Sequence, residues 1–241
     1  MREGLTDMHL LLEGVVGSKA FGLDTPDSDT DWAGIFVEPT ASFLGLNPPT
    51  RDQGTVKGRD TDDATYHEVA KAMRLALTCN PSAMELLWLS DYTVTSAFGE
   101  ELIGLRTKFL SAQRVRDAYL GYAKSQYGRL VHRGVTGNST DRRREKHARH
   151  IARLLDQGFA LYALGELEVR VPDRQWVFNL GASVAQDPMA ERLRDVIKNY
   201  EVIFDHTRTP LPNEPDTAPI EDLLHRIRHA NLAPLNTKEM I

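Results

Sequence analysis

The sequence predicts an α+β protein: a small mixed β-sheet core over residues 1–95 and a mostly helical part over residues 96–241. Three observations carry this. Two short apolar runs near the start, Leu10 to Val16 and Asp29 to Val37, have strand character and enclose a turn-rich segment. From Glu68 onward the apolar spacing becomes helical. Long amphipathic stretches then fill most of the chain.

The first run, LLLEGVV, reads as a buried strand ending at Gly17. Ser18 to Leu23 has room for one helical turn, and Asp24 to Ser28 (DTPDS) is turn chemistry. The second strand closes at Pro39. Residues 47–61 read as loop, and Asp63 to His67 as a short third strand. Val69, Met73, Ala76 and Leu77 then form a helical stripe, broken at Asn80-Pro81-Ser82. Ser82 is expected to cap a helix over Ala83 to Leu89. Further helices are expected at 111–133, 141–164, 187–205 and 219–231, with a small β element around Leu167 to Val171.

The chain has 241 residues, 41% hydrophobic and 26% charged, enough for a sizeable core. The N-terminal apolar run is short and meets Glu13 directly, unlike a secretory signal, and no stretch reaches membrane-spanning length. A lone cysteine, Cys79, excludes an internal disulfide framework and reads as a small apolar filler. A cytoplasmic protein is expected. The net charge of −5 argues against a general nucleic-acid-coating protein. Its distribution is uneven. Glu13 to Glu68 holds eleven acids against four Lys/Arg, whereas Asp141 to Arg153 holds six Lys/Arg against two acids. An acidic half suits metals and a basic middle suits phosphates, although solvated faces have the same composition.

The chemistry concentrates in Gly17 to Asp31, GSKAFGLDTPDSDTD. Gly17-Ser18 can offer backbone N–H groups and a hydroxyl to an anion. Asp29 and Asp31, spaced i, i+2 on extended chain, point the same way. Together they make a phosphate cradle beside a clamp for divalent cations. Mg²⁺ is the natural ion, two ions being expected and Mn²⁺ an alternative. No Gly-Lys-Ser/Thr follows, so this is not a P-loop. A third carboxylate is needed to deprotonate an attacking hydroxyl. Asp63 is the candidate, with Asp62 and Glu68 as rivals.

Lys146, His150 and Arg153 share a helix face and could present cations to a triphosphate or to an acceptor; a salt-bridged face is the competing reading. His147 and His150 lack a second His/Cys set with zinc-like spacing. Arg142-Arg143-Arg144 could contact an RNA backbone or simply begin a soluble helix. Lys19 lies inside the phosphate turn. Trp32 on its strand reads as core, as do Tyr119, Tyr122 and Tyr127 with interface character. Glu85 is either a core salt-bridge partner or a site residue.

The Gly-Ser, spacer, Asp-x-Asp pattern resembles the DNA polymerase β-type nucleotidyltransferase superfamily. Gly17 to Leu23, Ser28 to Gly34, Asn80-Pro81 with Glu85, and Lys146 to Leu155 narrow the resemblance to the RlaP-type predicted nucleotidyltransferases of bacteria and phages. It covers about residues 10–170. The family usually carries a helix ahead of the first strand, which here would be very short or missing. The resemblance implies that Gly17 and Ser18 grip the triphosphate, that Asp29 and Asp31 bind metal, and that Asp63 completes a triad. It implies transfer of a nucleoside monophosphate from an NTP to an acceptor. An RNA or tRNA end is the expected acceptor. A protein or a small molecule such as an aminoglycoside is the alternative, and a non-catalytic nucleotide-binding protein is a third reading.

Overall fold

The computed structural model describes residues 9–49, 55–57, 63–136, 140–185 and 187–232. It is α+β, with a five-stranded mixed sheet against a larger helical part. The strands are β1 (His9–Val16), β2 (Asp31–Val37), β3 (Thr55–Lys57), β4 (Ala64–Glu68) and β5 (Val94–Thr95), ordered β3-β4-β2-β1-β5. β1 pairs antiparallel with β2 and β5, β3 antiparallel with β4, and β2 parallel with β4. The turn-rich segment thus joins β1 to β2 as an antiparallel pair, opening with α1 (Gly17–Ala20).

Register decides which side chains share a face. Val16 faces Asp31 and Gly14 faces Ala33 across β1 and β2; Ala33 faces Thr65 and Ile35 faces His67 across β2 and β4. Strand alternation therefore aligns Asp31, Ala33 and Ile35 with Thr65 and His67. The opposite face holds Glu13, Gly34 and Tyr66 in one row. Tyr66 covers Gly34, where a Cβ would lie 2.6 Å from its ring, and its hydroxyl donates to Glu13 Oε1 at 2.5 Å. All three are buried, so the bare glycine is what lets this polar pair close across the middle of the sheet.

Helices pack on the sheet and then on one another: α2 (Val69–Leu77), α3 (Pro81–Leu87), α4 (Ala97–Gly104), α5 (Ala112–Arg116), α6 (Tyr122–Val135), α7 (Asp141–Leu164), α8 (Arg174–Ala185), α9 (Glu191–His206) and α10 (Ala218–Ala230). A π turn, Asp117–Gly121, links α5 to α6 and buries Tyr119 and Leu120. One buried apolar cluster runs from Leu11 of the sheet through Leu154 of α7 to Ile227 of α10, so the two parts share a core.

Several sequence expectations change. β2 begins at Asp31, leaving Asp29 in the loop before it. Thr55–Lys57 is a strand inside the expected loop. Asn80, not Ser82, caps α3, accepting from the N–H groups of Ser82 and Ala83 at 3.1 and 3.3 Å with Pro81 in the first turn. Residues 167–171 form no strand. Instead Asp173 accepts from Trp176 N–H at 2.8 Å and starts α8, whose Val177, Leu180, Gly181 and Val184 are buried at helical spacing. The stretch ahead of the first strand, where the family usually carries a helix, falls outside the described residues.

Candidate active site

The site grows from the end of β1. Gly17 has φ +71°, a left-handed conformation that favours glycine, and a Cβ there would lie 2.0 Å from Asp31 Oδ2. The turn can therefore close onto the Asp31 carboxylate only without a side chain. Val16 caps α1 with no side-chain hydrogen bond. Ser18 is half-buried, and its carbonyl accepts from Leu23 N–H at 2.8 Å, which holds the turn compact. Lys19 is exposed and donates to Thr30 Oγ1 at 2.5 Å, tying the turn to the loop that carries Asp29.

Asp31 is half-buried, while Asp29 and Asp63 are exposed. The N–H of Trp32 donates to the Asp63 carbonyl at 2.8 Å, which extends the parallel β2–β4 register and sets Asp63 level with Asp31. Burial pushes the Asp31 carboxyl above its ordinary range, and the charges of Asp63 and Asp29 push it further; Lys146 and Lys19 act the other way. Five of the residues singled out by sequence thus interact around one carboxylate. Of the rivals to Asp63, Glu68 lies on the other face of the sheet. It accepts from the Ala70 N–H at 2.9 Å and pairs with Arg228 at 2.7 Å. Asp62 lies outside the described residues.

Among the described residues no three His, Cys, Asp or Glu side chains are gathered tightly enough to hold a metal ion. The donor chemistry nevertheless fits a hard divalent cation: the three aspartates supply only oxygen, and mutual repulsion at Asp31 is relieved by a positive charge.

A cavity of about 600 Å³ opens beside Gly17, Asp31 and Asp63 and runs between the sheet, α2, α3 and α7. Its wall includes Thr65, His67, Lys71, His150 and Arg153. The first three of these had no signal in the sequence beyond the strand alternation that follows from Asp63.

The basic helix divides into distinct tasks. Lys146 is exposed and close enough for its charge to act on Asp31. Arg153 is buried and ion-paired with Glu85. It also donates to Gln157 Oε1 at 2.6 Å, and its guanidinium lies 3.7 Å from the centre of the Phe21 ring. Glu85 is therefore the buried salt-bridge partner of Arg153, and both line the cavity. Arg153 also donates to His150 Nδ1 at 3.2 Å. Burial, then the Arg153 charge, pushes the His150 ring down to about 3. Its charged form is thus disfavoured in the wall, where the sequence suggested a cation. Arg144 is buried, donating to the carbonyls of Leu130, Val184, Ala185 and Asp187, which removes it from any RNA-contacting surface. Arg142 and Arg143 remain exposed. Burial lifts the Cys79 thiol to about 11, in keeping with a filler role.

The helical part also grips the turn between β1 and β2. Val171 N–H donates to the Phe21 carbonyl at 3.0 Å, and Arg174 donates to the carbonyls of Gly22 and Asp24, each at 2.9 Å.

Comparison with known proteins finds matches of three kinds. The chain is 26% identical over 143 residues to an uncharacterized 38.9 kDa protein of the nrdC–mobD intergenic region of Enterobacteria phage T4, a match spanning 54% of this chain and 40% of that protein. A nucleotidyltransferase-like protein of Exiguobacterium sibiricum aligns with 93% of this chain and 75% of its own, at 12% identity and a TM-score of 0.30. No helix among the described residues is long and apolar enough to cross a membrane. A family model matches residues 3–199, and the chain belongs to that family: RlaP, the RNA repair pathway DNA polymerase beta family of nucleotidyltransferases.

Proposed function

We propose that the protein transfers a nucleoside monophosphate from an NTP to a hydroxyl at an RNA or tRNA end. The observation that carries this is the meeting of Gly17, Asp31 and Asp63 at the mouth of one cavity. The triphosphate lies against the uncapped start of the Gly17–Ala20 turn, with the charges of Lys19 and Lys146 both reaching Asp31. The attacking hydroxyl oxygen bonds to the α-phosphorus, the bond from that phosphorus to the bridging oxygen breaks, and pyrophosphate leaves. Asp63 takes the hydroxyl proton. Asp29, Asp31 and Asp63 would hold divalent cations, most naturally Mg²⁺, which neutralise triphosphate charge and favour pyrophosphate departure. Arg153 and Glu85 hold the cavity wall, and neutral His150 offers it a hydrogen-bonding ring without added charge.

The test is an assay with α-labelled NTPs and Mg²⁺ over RNA ends, proteins and aminoglycosides. Label is expected on RNA, and Asp31→Asn is expected to abolish it. Label on protein or small molecule alone would replace the acceptor. NTP binding with no product from any acceptor would make the protein a nucleotide-binding module.

A further inference from the structure

The acceptor needs a path to the carboxylates, and the helical part offers one. α6 and α7 are clamped side by side: His147 Nε2 and Gln126 Oε1 are 2.8 Å apart, and Arg144 donates to the Leu130 carbonyl at 3.3 Å. Arg129 and Arg133 of α6 and Arg142, Arg143 and Lys146 of α7 are all exposed, and Arg129 and Arg133 lie close enough to α7 for their charges to reach His147. Arg129 and Arg133 are spaced i, i+4, as are Arg142 and Lys146, so each pair lies along one helix face. The charges crowd: burial, then Arg133, Arg129 and Arg144, drive the His147 ring below its ordinary range.

Neutralising partners are few. Among the described residues no acid pairs with Arg129, Arg133, Arg143 or Lys146. Glu145 on α7 pairs with Arg149 at 3.8 Å, and Asp141 opens the helix. Arg142 reaches Asp27 at 3.8 Å, both side chains being 81% exposed, which is a loose tether. That tether sets one end of the cationic row against the loop that carries Asp29. The larger cavity behind the Gly17 turn, about 900 Å³, is a poorer path for a polyanion. There Lys19, Arg106 and Arg170 are offset by Asp91, Glu166 and Glu168.

We propose that the row Arg129–Arg133–Arg143–Arg142–Lys146 is the track on which the phosphate backbone of a single-stranded RNA acceptor lies, delivering its end to Asp31 and Asp63. The inference rests on the nucleotidyl-transfer reading above. Guanidinium forks held on two rigid helices suit phosphate oxygens, and the binding would be strongly salt-dependent.

The experiment uses the full chain and a short fluorescein-labelled single-stranded RNA, with anisotropy measured from about 50 to 200 mM salt. The triple variant Arg129→Glu, Arg133→Glu, Arg143→Glu is expected to weaken binding at least tenfold. Its log–log salt slope should be shallower by about 2. ATP binding, measured separately by calorimetry, should not change, and an unchanged melting curve reports an intact fold. A milder variant, Arg129→Gln with Arg133→Gln, should shift the slope by about two-thirds as much if the triple variant folds poorly. Unchanged RNA affinity and slope in a folded variant would overturn the track. So would tight binding of polyglutamate, with RNA binding unaffected by the substitutions. If RNA binding falls as expected but wild-type protein labels no RNA, the track stands and the RNA-transfer reading fails.

Discussion

Gly17 is the residue on which the site turns. Its positive φ and the 2.0 Å approach of Asp31 Oδ2 to the place of its missing Cβ make two separate demands on one position. Gly17→Ala is expected to cost about 1–2 kcal/mol of stability from the left-handed backbone. It must also push the Asp31 carboxylate aside. A displacement near 1 Å in a reacting constellation costs about a hundredfold in rate. Single-turnover transfer should therefore fall far more than the melting curve predicts; equal, small losses in both would remove Gly17 from the site. The same scale shows what the sequence made legible. Gly17, Ser18, Asp29 and Asp31 stand out because short-range spacing alone puts them together. Asp63 follows once a strand is expected to start there. Arg144 looked no different from Arg142 and Arg143, since burial of one member of an arginine triplet depends on the phase of α7 against α6 and α8. Glu85 and Arg153 are far apart in sequence, and nothing local announces their pairing.

At the scale of elements, α7 is the beam that joins the two parts. Thr140 caps its start and Gly165, with φ +73°, closes its end, which is why its limits were readable as 141–164. Elements without such punctuation were read less well. β3 is too short to show alternation, and α8 was obscured by the β-branched residues of LEVRV just ahead of it. The joint between α7 and α3 is the buried Arg153–Glu85 pair. Removing one partner of a buried pair leaves an uncompensated charge and costs about 3–5 kcal/mol. Arg153→Met and Glu85→Leu are each expected to lose that much by urea unfolding, while the double variant should lose much less. Additive losses would mean that the two side chains stabilise the joint independently. Either outcome can be read without knowing the substrate.

The whole molecule explains why the proposed site on the sheet needs the helical part. The Gly17–Ser28 segment is braced by its own turn bonds, such as Leu23 N–H to the Ser18 carbonyl, and from outside by the helical part. Phe21, Gly22 and Asp24 all present carbonyls to Val171 and Arg174, and Phe21 lies under the Arg153 guanidinium. The positive φ of Gly22, +67°, turns its backbone beneath Arg170, whose guanidinium carbon would lie 3.2 Å from a Cβ there. The polar contacts from Arg174 lie near the surface, so their loss should loosen the segment without unfolding the shared core. Arg174→Ala removes two charge-assisted bonds to backbone carbonyls, of which only part appears as stability because the freed carbonyls can reach water. Its larger effect is expected on function. The turn would sample conformations in which Gly17 no longer closes on Asp31, and NTP affinity would drop by about tenfold, the equivalent of about 1.4 kcal/mol. Limited proteolysis should report the same event as faster cleavage between Gly22 and Ser28, slowed again by saturating NTP. A variant with weakened NTP binding but an unchanged cleavage rate would show that Arg174 acts on the nucleotide directly and not through the turn it holds.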